Sequence, residues 1–286
     1  MTEKILYYSV LTLSRLPWWF LYAFASFAGW LMFTFKLYRY KIVHRNIALA
    51  FPEKTDAERR QIERGFYRQL ADNVVESLKL LTVSDKSLRK KVEFVGWEQL
   101  QPMAEKRQSL VIFLGHYGNW ELVPTSVWVI PNDYVIGQIY KPPHNPLGHT
   151  IMDRIRSRFG AENIPQKHAF LHLLRQNRNG LITCTGFIAD QRPNGRFPAT
   201  TPFLGLPTAY ITGAEEIGRR IDAAYFYIDI ESPRRGHTRL TLKPVVPAAD
   251  EPEFPVTVGY LRMLEATIRR DPAPWLWSHN RWQNQL

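Results

Sequence analysis

Residues 16–35 carry no charge and are mostly apolar, a run long enough to cross a hydrocarbon core as a helix. Arg15 precedes it, and Lys36, Arg39, Lys41, His44 and Arg45 follow. By the positive-inside rule this flank places the bulk of the chain in the cytoplasm. The pattern divides the protein into a membrane anchor with its basic flank, 1–45, and a globular domain, 46–286.

Beyond Phe51-Pro52 the period becomes helical. Thr55-Asp-Ala-Glu58 is a capping-box signature, and Ile62, Phe66, Leu70, Val74 and Leu78 form an apolar stripe, so a helix is expected over 56–81. Short β-branched runs then alternate with helical patterns. Strands are expected at 92–95, up to Gly115, at 133–140, around Cys184 up to Ala189-Asp190-Gln191, at 223–230 and at 238–245. Helices are expected at 97–106, from about Asn119, around Ile151, Ile155 and Phe159, at 169–177, at 209–221 and at 256–270. This alternation implies an α/β fold with a mixed, mainly parallel sheet flanked by helices.

Composition narrows the class. The net charge of +11 favours an anionic partner such as an anionic membrane, a phosphorylated lipid, an acidic protein or nucleic acid. The positive charges are spread and no recognition motif accompanies them, which argues against nucleic acid. Nine Trp suit surfaces that are apolar on one side and wet on the other. The single cysteine, Cys184, excludes an internal disulfide and reads as strand packing. C-x-x-C, H-E-x-x-H, P-loop, G-x-G-x-x-G and G-x-S-x-G patterns are absent.

The chemistry concentrates in Ser109-Leu-Val-Ile-Phe-Leu-Gly-His116-Tyr-Gly-Asn-Trp-Glu121. A buried strand that ends in glycine delivers His116 and then Glu121 to its carboxyl edge, where α/β folds build sites. With 8 His and 26 Asp+Glu in 286 residues, chance gives about 0.7 such His/acid spacings, and only His116 has one. Five residues on a regular helix turn through about 500°, so the two side chains would not share a face. His116 therefore belongs in the turn before the helix, with Glu121 in its first turns and Gly115 and Gly118 permitting the irregular backbone. A core histidine beside a solvated glutamate is the plainer alternative.

These blocks resemble the bacterial lipid A biosynthesis acyltransferase family. The resemblance runs from Arg45-Asn46 and Phe51-Pro52 through Gly115-His116-Tyr-Gly-Asn119-Trp-Glu121. It continues through Tyr140-Lys-Pro-Pro-His-Asn145-Pro146, Arg156-Ser-Arg158-Phe-Gly160 and Ala189-Asp190-Gln191. Phe203-Leu-Gly205, Thr212-Gly213 and Trp277-Ser-His279-Asn-Arg281-Trp282 complete it. Lys141, where members often carry arginine, and the short end after Trp282 depart from the pattern. The resemblance implies a glycerolipid-acyltransferase-like fold in a bacterial inner-membrane enzyme facing the cytoplasm. Such an enzyme moves a fatty acyl chain from acyl carrier protein to a hydroxyl of a phosphorylated glycolipid, a lipid A precursor, among membrane lipids. It implies His116 as general base, Glu121 as its orienting carboxylate, and Arg156, Arg158 and Asp190 in the polar site.

That chemistry fits the residues. A thioester is already activated, so no cofactor and no metal is required, and without a serine beside His116 direct transfer is favoured over an acyl-enzyme. N–H groups near Gly118 and Asn119, or an arginine, would hold the oxyanion. Arg156 and Arg158 would grip a phosphate or that oxygen, or else form a solvated basic face. Asp190 would pair with an arginine, or else cap a turn; His279 reads as a packed residue, and His144 and His149 as loop residues. Three other functions share these features: the same reaction on another amphiphilic acceptor, a membrane-anchored nucleic-acid binder, and a membrane scaffold without catalysis.

Overall fold

The computed structural model describes residues 2–142, 145–193 and 199–283, with side chains from residue 6 onward. His144 lies outside the described residues. Among these residues a seven-stranded sheet holds the molecule together. In chain order its strands are β1 (Val92–Val95), β2 (Leu110–Leu114), β3 (Tyr134–Tyr140), β4 (Glu162–Pro165), β5 (Ile182–Ile188), β8 (Ala224–Arg234) and β9 (His237–Pro244). Between them β6 (Thr200–Phe203) and β7 (Leu206–Ala209) form a separate hairpin. Its turn is Leu204-Gly205, both with positive φ.

The strand order is β1-β9-β8-β2-β5-β3-β4, and only β8 against β9 is antiparallel. The mixed, mainly parallel sheet is thus as expected. All five residues of β2 are buried, as a central strand covered on both faces requires. The short β4 and the β6–β7 hairpin were not visible in the hydropathy pattern. Pairing with Thr200 of β6 keeps Ala209 in strand, so the helix expected from 209 begins only at Gly213.

The helices are α1 (Thr2–Arg15), α2 (Trp18–Thr34), α3 (Tyr40–Ala50), α4 (Asp56–Lys79), α5 (Asp85–Leu88), α6 (Gln101–Glu105), α7 (Pro146–Ser157), α8 (Ala169–Arg178), α9 (Gly213–Arg220) and α10 (Pro255–Arg270). The capping box forms: Thr55 Oγ1 accepts from the Glu58 N–H, and Glu58 accepts from the Thr55 N–H at 2.7 Å. The stripe on α4 departs from expectation. A strict four-residue spacing drifts by about 40° per step. Ile62 and Phe66 are therefore buried while Val74 faces out, and Ala71 and Val75 take over the packing.

The apolar run 16–35 is likewise interrupted at its start. Pro17 cannot donate a backbone hydrogen bond and separates α1 from α2, which meet at 114°. Among the described residues no single helix is long and apolar enough to cross a membrane. Instead α2 lies along α4, with Leu21 and Ala25 packed on Ala71 and Val75. At Gly29 an added Cβ would stand 2.9 Å from the Tyr67 carbonyl oxygen, so glycine lets the two helices touch there.

Candidate active site

The site lies beyond the carboxyl ends of β2 and β5. Leu114 is the register partner of Ile188 on these parallel strands. Two residues further along each chain stand His116 and Asp190. The Nδ1–H of His116 donates to Asp190 Oδ1 at 2.6 Å, and the His116 backbone N–H donates to Oδ2 at 2.8 Å. The Trp275 indole N–H donates to the same Oδ2 at 2.9 Å. Gly115 makes the crossing possible: a Cβ there would meet Leu264 of α10 at 2.6 Å.

Asp190 is 2% exposed. Burial alone would raise its carboxyl, but the charge of His116 and these three donors outweigh burial and bring it to about 2. It is an anion at any working pH, so it holds a proton on Nδ1, and in the neutral ring the lone pair is on Nε2.

The carboxylate paired with His116 is therefore Asp190, and not Glu121 as the spacing suggested. Glu121 is the second residue of the helix expected from about Asn119, which is a 3₁₀ helix, Trp120–Trp128. It faces α7, where Arg156 binds it twice, Nε to Oε2 at 2.9 Å and Nη2 to Oε1 at 2.6 Å. The Trp120 indole N–H also donates to Oε1, at 3.0 Å. Burial would lower the Arg156 guanidinium, yet its bonds to Glu121 hold it above the ordinary arginine value. Arg156 is thus in the site, but as the partner of Glu121; two of its five N–H donors are taken.

Arg158 is elsewhere. It donates to the backbone oxygens of Leu80 and Val83 and to Asp85 at 2.6 Å, tying down the chain after α4. It does not border the cavity at His116. The turn does not supply the expected oxyanion donors either. The Gly118 N–H is bonded to the Pro274 oxygen, and Gly118 has φ +57. The Asn119 side chain is turned to Glu76 at 2.9 Å and caps the Glu121 N–H at 3.2 Å. Asn73 of α4 donates to the Gly118 oxygen at 2.6 Å. These two residues shape the turn rather than face a reactant.

The cavity in front of His116 has a volume of about 790 Å³. Glu121, Arg156, Gln191 and His279 stand at its polar part, while Ile112, Ile136, Cys184, Gly186 and Ile228 line it along the sheet. The carboxyl-terminal segment closes one side. Leu276 N–H bonds to the His116 oxygen, and Asn46 of α3 donates to the oxygens of Trp277 at 2.9 Å and His279 at 2.8 Å. Burial lowers the His279 ring to about 4, so it is neutral and accepts the Arg192 N–H at 3.1 Å. Arg281 is 1% exposed and has no hydrogen-bond partner among the described residues. Burial lowers it to about 10, while the charge of Asp190 works in the opposite direction. His279 is the packed, hydrogen-bonded residue the sequence suggested, whereas Gln191 and Arg281 stood in the sequence only within the blocks that carry the resemblance.

A histidine with a buried carboxylate beside it opens on a cavity walled along the sheet by apolar residues, an arrangement that suits an acyltransferase. Residues 4–284 match the family described as bacterial lipid A biosynthesis acyltransferase, and the chain belongs to that family. It is 22% identical over 278 residues to the lipid A biosynthesis lauroyltransferase of Escherichia coli, covering 95% of this chain and 88% of that protein. It is 19% identical over 209 residues to a lipid A biosynthesis acyltransferase of Haemophilus influenzae, covering 73% of this chain and 64% of that protein.

Proposed function

We propose that this protein transfers a fatty acyl chain from an acyl carrier protein thioester to a hydroxyl of a lipid A precursor at the cytoplasmic face of the bacterial inner membrane. The single observation that carries the reaction is the His116–Asp190 pair with Nε2 facing the cavity. Nε2 takes the proton of the acceptor hydroxyl, whose oxygen attacks the thioester carbon while the carbonyl π pair moves onto oxygen. Collapse re-forms the carbonyl and expels the thiolate, which takes the proton back from Nε2. Asp190 stabilises the imidazolium between these steps. Arg156, held by Glu121, keeps three N–H donors for the thioester or for a phosphate of the acceptor. The apolar lining along the sheet suits the acyl chain, and the +11 net charge suits an acidic carrier protein and a phosphorylated acceptor.

Membrane association rests on the outer face of α2. Trp19 is 72% exposed and Phe24 59%, and Phe20, Phe27 and Trp30 extend this face. The opposite face is buried on α4, so the helix is apolar all round with one side left open. Lying in the interface with Arg15 and Lys36 at its ends satisfies that side without a crossing.

The test is mass spectrometry of a lipid A precursor incubated with the protein and acyl carrier protein loaded with chains of mixed length. A gain of one acyl group, absent with His116→Ala, supports the reading and reports the preferred chain. No gain with folded, lipid-supplemented protein overturns the acceptor, and gain on another amphiphile identifies its replacement.

A further inference from the structure

Gln191 follows Asp190 directly, and its amide nitrogen lies 3.2 Å from His116 Nε2. Asp190 decides which end of the amide faces the ring. An ionised carboxylate only accepts, so Nδ1 carries a proton, and in the neutral ring that serves as a base Nε2 offers the lone pair. The group that satisfies a lone pair is the amide N–H, donating. The same lone pair must take the proton of the incoming hydroxyl, so in the resting protein the base is capped by a neighbour.

Three backbone donors of the turn at His116 are committed elsewhere. The His116 N–H serves Asp190, the Gly118 N–H serves Pro274, and the Glu121 N–H serves Asn119. The ring of His116 is otherwise faced by the Trp120 ring of the 3₁₀ helix, in a T-shaped contact, and by the charge of Asp190 just beyond β5. From the carboxyl-terminal segment His279 stands at the same cavity, and the charges of Arg281 and Asp190 attract. The Arg192 N–H bonded to His279 anchors the chain one residue beyond Gln191.

We infer that Gln191 caps His116 Nε2 before substrate enters, yields that position to the acceptor hydroxyl, and then donates its amide N–H to the oxygen of the tetrahedral intermediate. The inference rests on the acyl-transfer reading above. Its physical cause is the change of Nε2 from acceptor to donor. Once Nε2 holds the hydroxyl proton, an N–H facing it is repelled. The nearest new acceptor is the oxygen that has just received the carbonyl π pair, on the carbon bonded to the attacking oxygen. When that pair returns and the C–S bond breaks, the thiolate takes the proton from Nε2, and the lone pair is free to be capped again.

Two variants test it, with steady-state kinetics and with ¹⁵N spectra of the imidazole in substrate-free protein. Gln191→Ala is expected to lower kcat about 10²-fold, the usual loss of one oxyanion donor, with KM unchanged or lower because nothing has to be displaced. Its Nε2 resonance is expected to move away from the wild-type position as the N–H···N bond is lost. Gln191→Glu keeps the shape and places an anion beside Nε2, so the acid limb of its kcat/KM profile moves to higher pH. A Gln191→Ala protein with wild-type kcat overturns the oxyanion role, and an unmoved Nε2 resonance overturns the cap. A wild-type protein that transfers no acyl group overturns the underlying reading instead, which the spectra distinguish because they need no substrate.

Discussion

His116 and Asp190 stand side by side because Leu114 and Ile188 are paired two residues earlier on parallel neighbouring strands. The separation of 74 positions along the chain is closed by sheet register, and the geometry of the pair is inherited from the most buried part of the fold. Asp190→Asn removes the anion but keeps the size. An amide can present its nitrogen to Nδ1, which reverses the tautomer and places a proton on Nε2. The expected result is a loss on the order of 10⁴ in kcat with a folded protein, read by acyl transfer and by thermal melting.

Glu121 does a different job, and a double-mutant cycle with Arg156 measures it. Removing Glu121 alone leaves Arg156 buried without its anion, which costs about 3 kcal/mol. Glu121→Ala is therefore expected to lower stability by that order and Glu121→Ala/Arg156→Ala by clearly less than the sum of the two single losses. Denaturant unfolding of the four proteins checks it; additive losses would show that the bidentate contact is not formed.

The sequence made the strand before His116 legible because a buried central strand is a continuous apolar run closed by glycine. It made α4 legible because a capping box is local. The neighbour relation of β2 and β5 is not local, so Asp190 was visible only as an acid after a buried strand, and the nearer Glu121 looked like the natural partner. Arg156 and Arg158 are two residues apart on one basic stretch, and nothing in their spacing separates them. Only the packing of α7 between the 3₁₀ helix and the end of α4 sends Arg156 to Glu121 and Arg158 to Leu80 and Val83.

Arg158 consequently offers a control. Its bonds satisfy the oxygen of Leu80, the C-cap of α4, where a helix terminus leaves carbonyls without internal partners, and that of Val83 in the chain beyond. Arg158→Ala is expected to cost about 1–3 kcal/mol of stability and to leave kcat and KM of the folded protein within twofold of wild type. Turnover at a temperature well below the melting point separates the two; a large kcat loss there would return Arg158 to the substrate site.

His279 predicts a pH dependence of stability. Its folded value of about 4 lies below the ordinary 6.5 because burial disfavours the charged ring. Between those values the unfolded chain binds the extra proton, so stability is full above about 6.5 and falls as pH drops towards 4. The depressed Asp190 acts in a separate window, since its contribution is lost only below 3.8, towards about 2. His279→Gln can still accept the Arg192 N–H through its amide oxygen and has no proton to gain. The difference in unfolding free energy between wild type and this variant is expected to shrink from pH 7 to pH 4; a constant difference would mean that the ring is not buried neutral.

The open face of α2 gives the last expectation. A helix whose inner side is fixed to α4 cannot turn Trp19, Phe24 and Trp30 inward, so only an external apolar phase can cover them. Phe24→Ser with Trp30→Ser removes two large side chains from that face without touching Leu21, Ala25 or Gly29. Sedimentation with vesicles containing anionic lipid is expected to show binding by the wild type and at least tenfold weaker binding by the double variant, at unchanged melting temperature. Raising salt should weaken the wild type only in part, because the basic residues at the helix ends are screened while apolar burial is not. Complete release by salt alone would assign the attachment to charge and leave the aromatic face without this role.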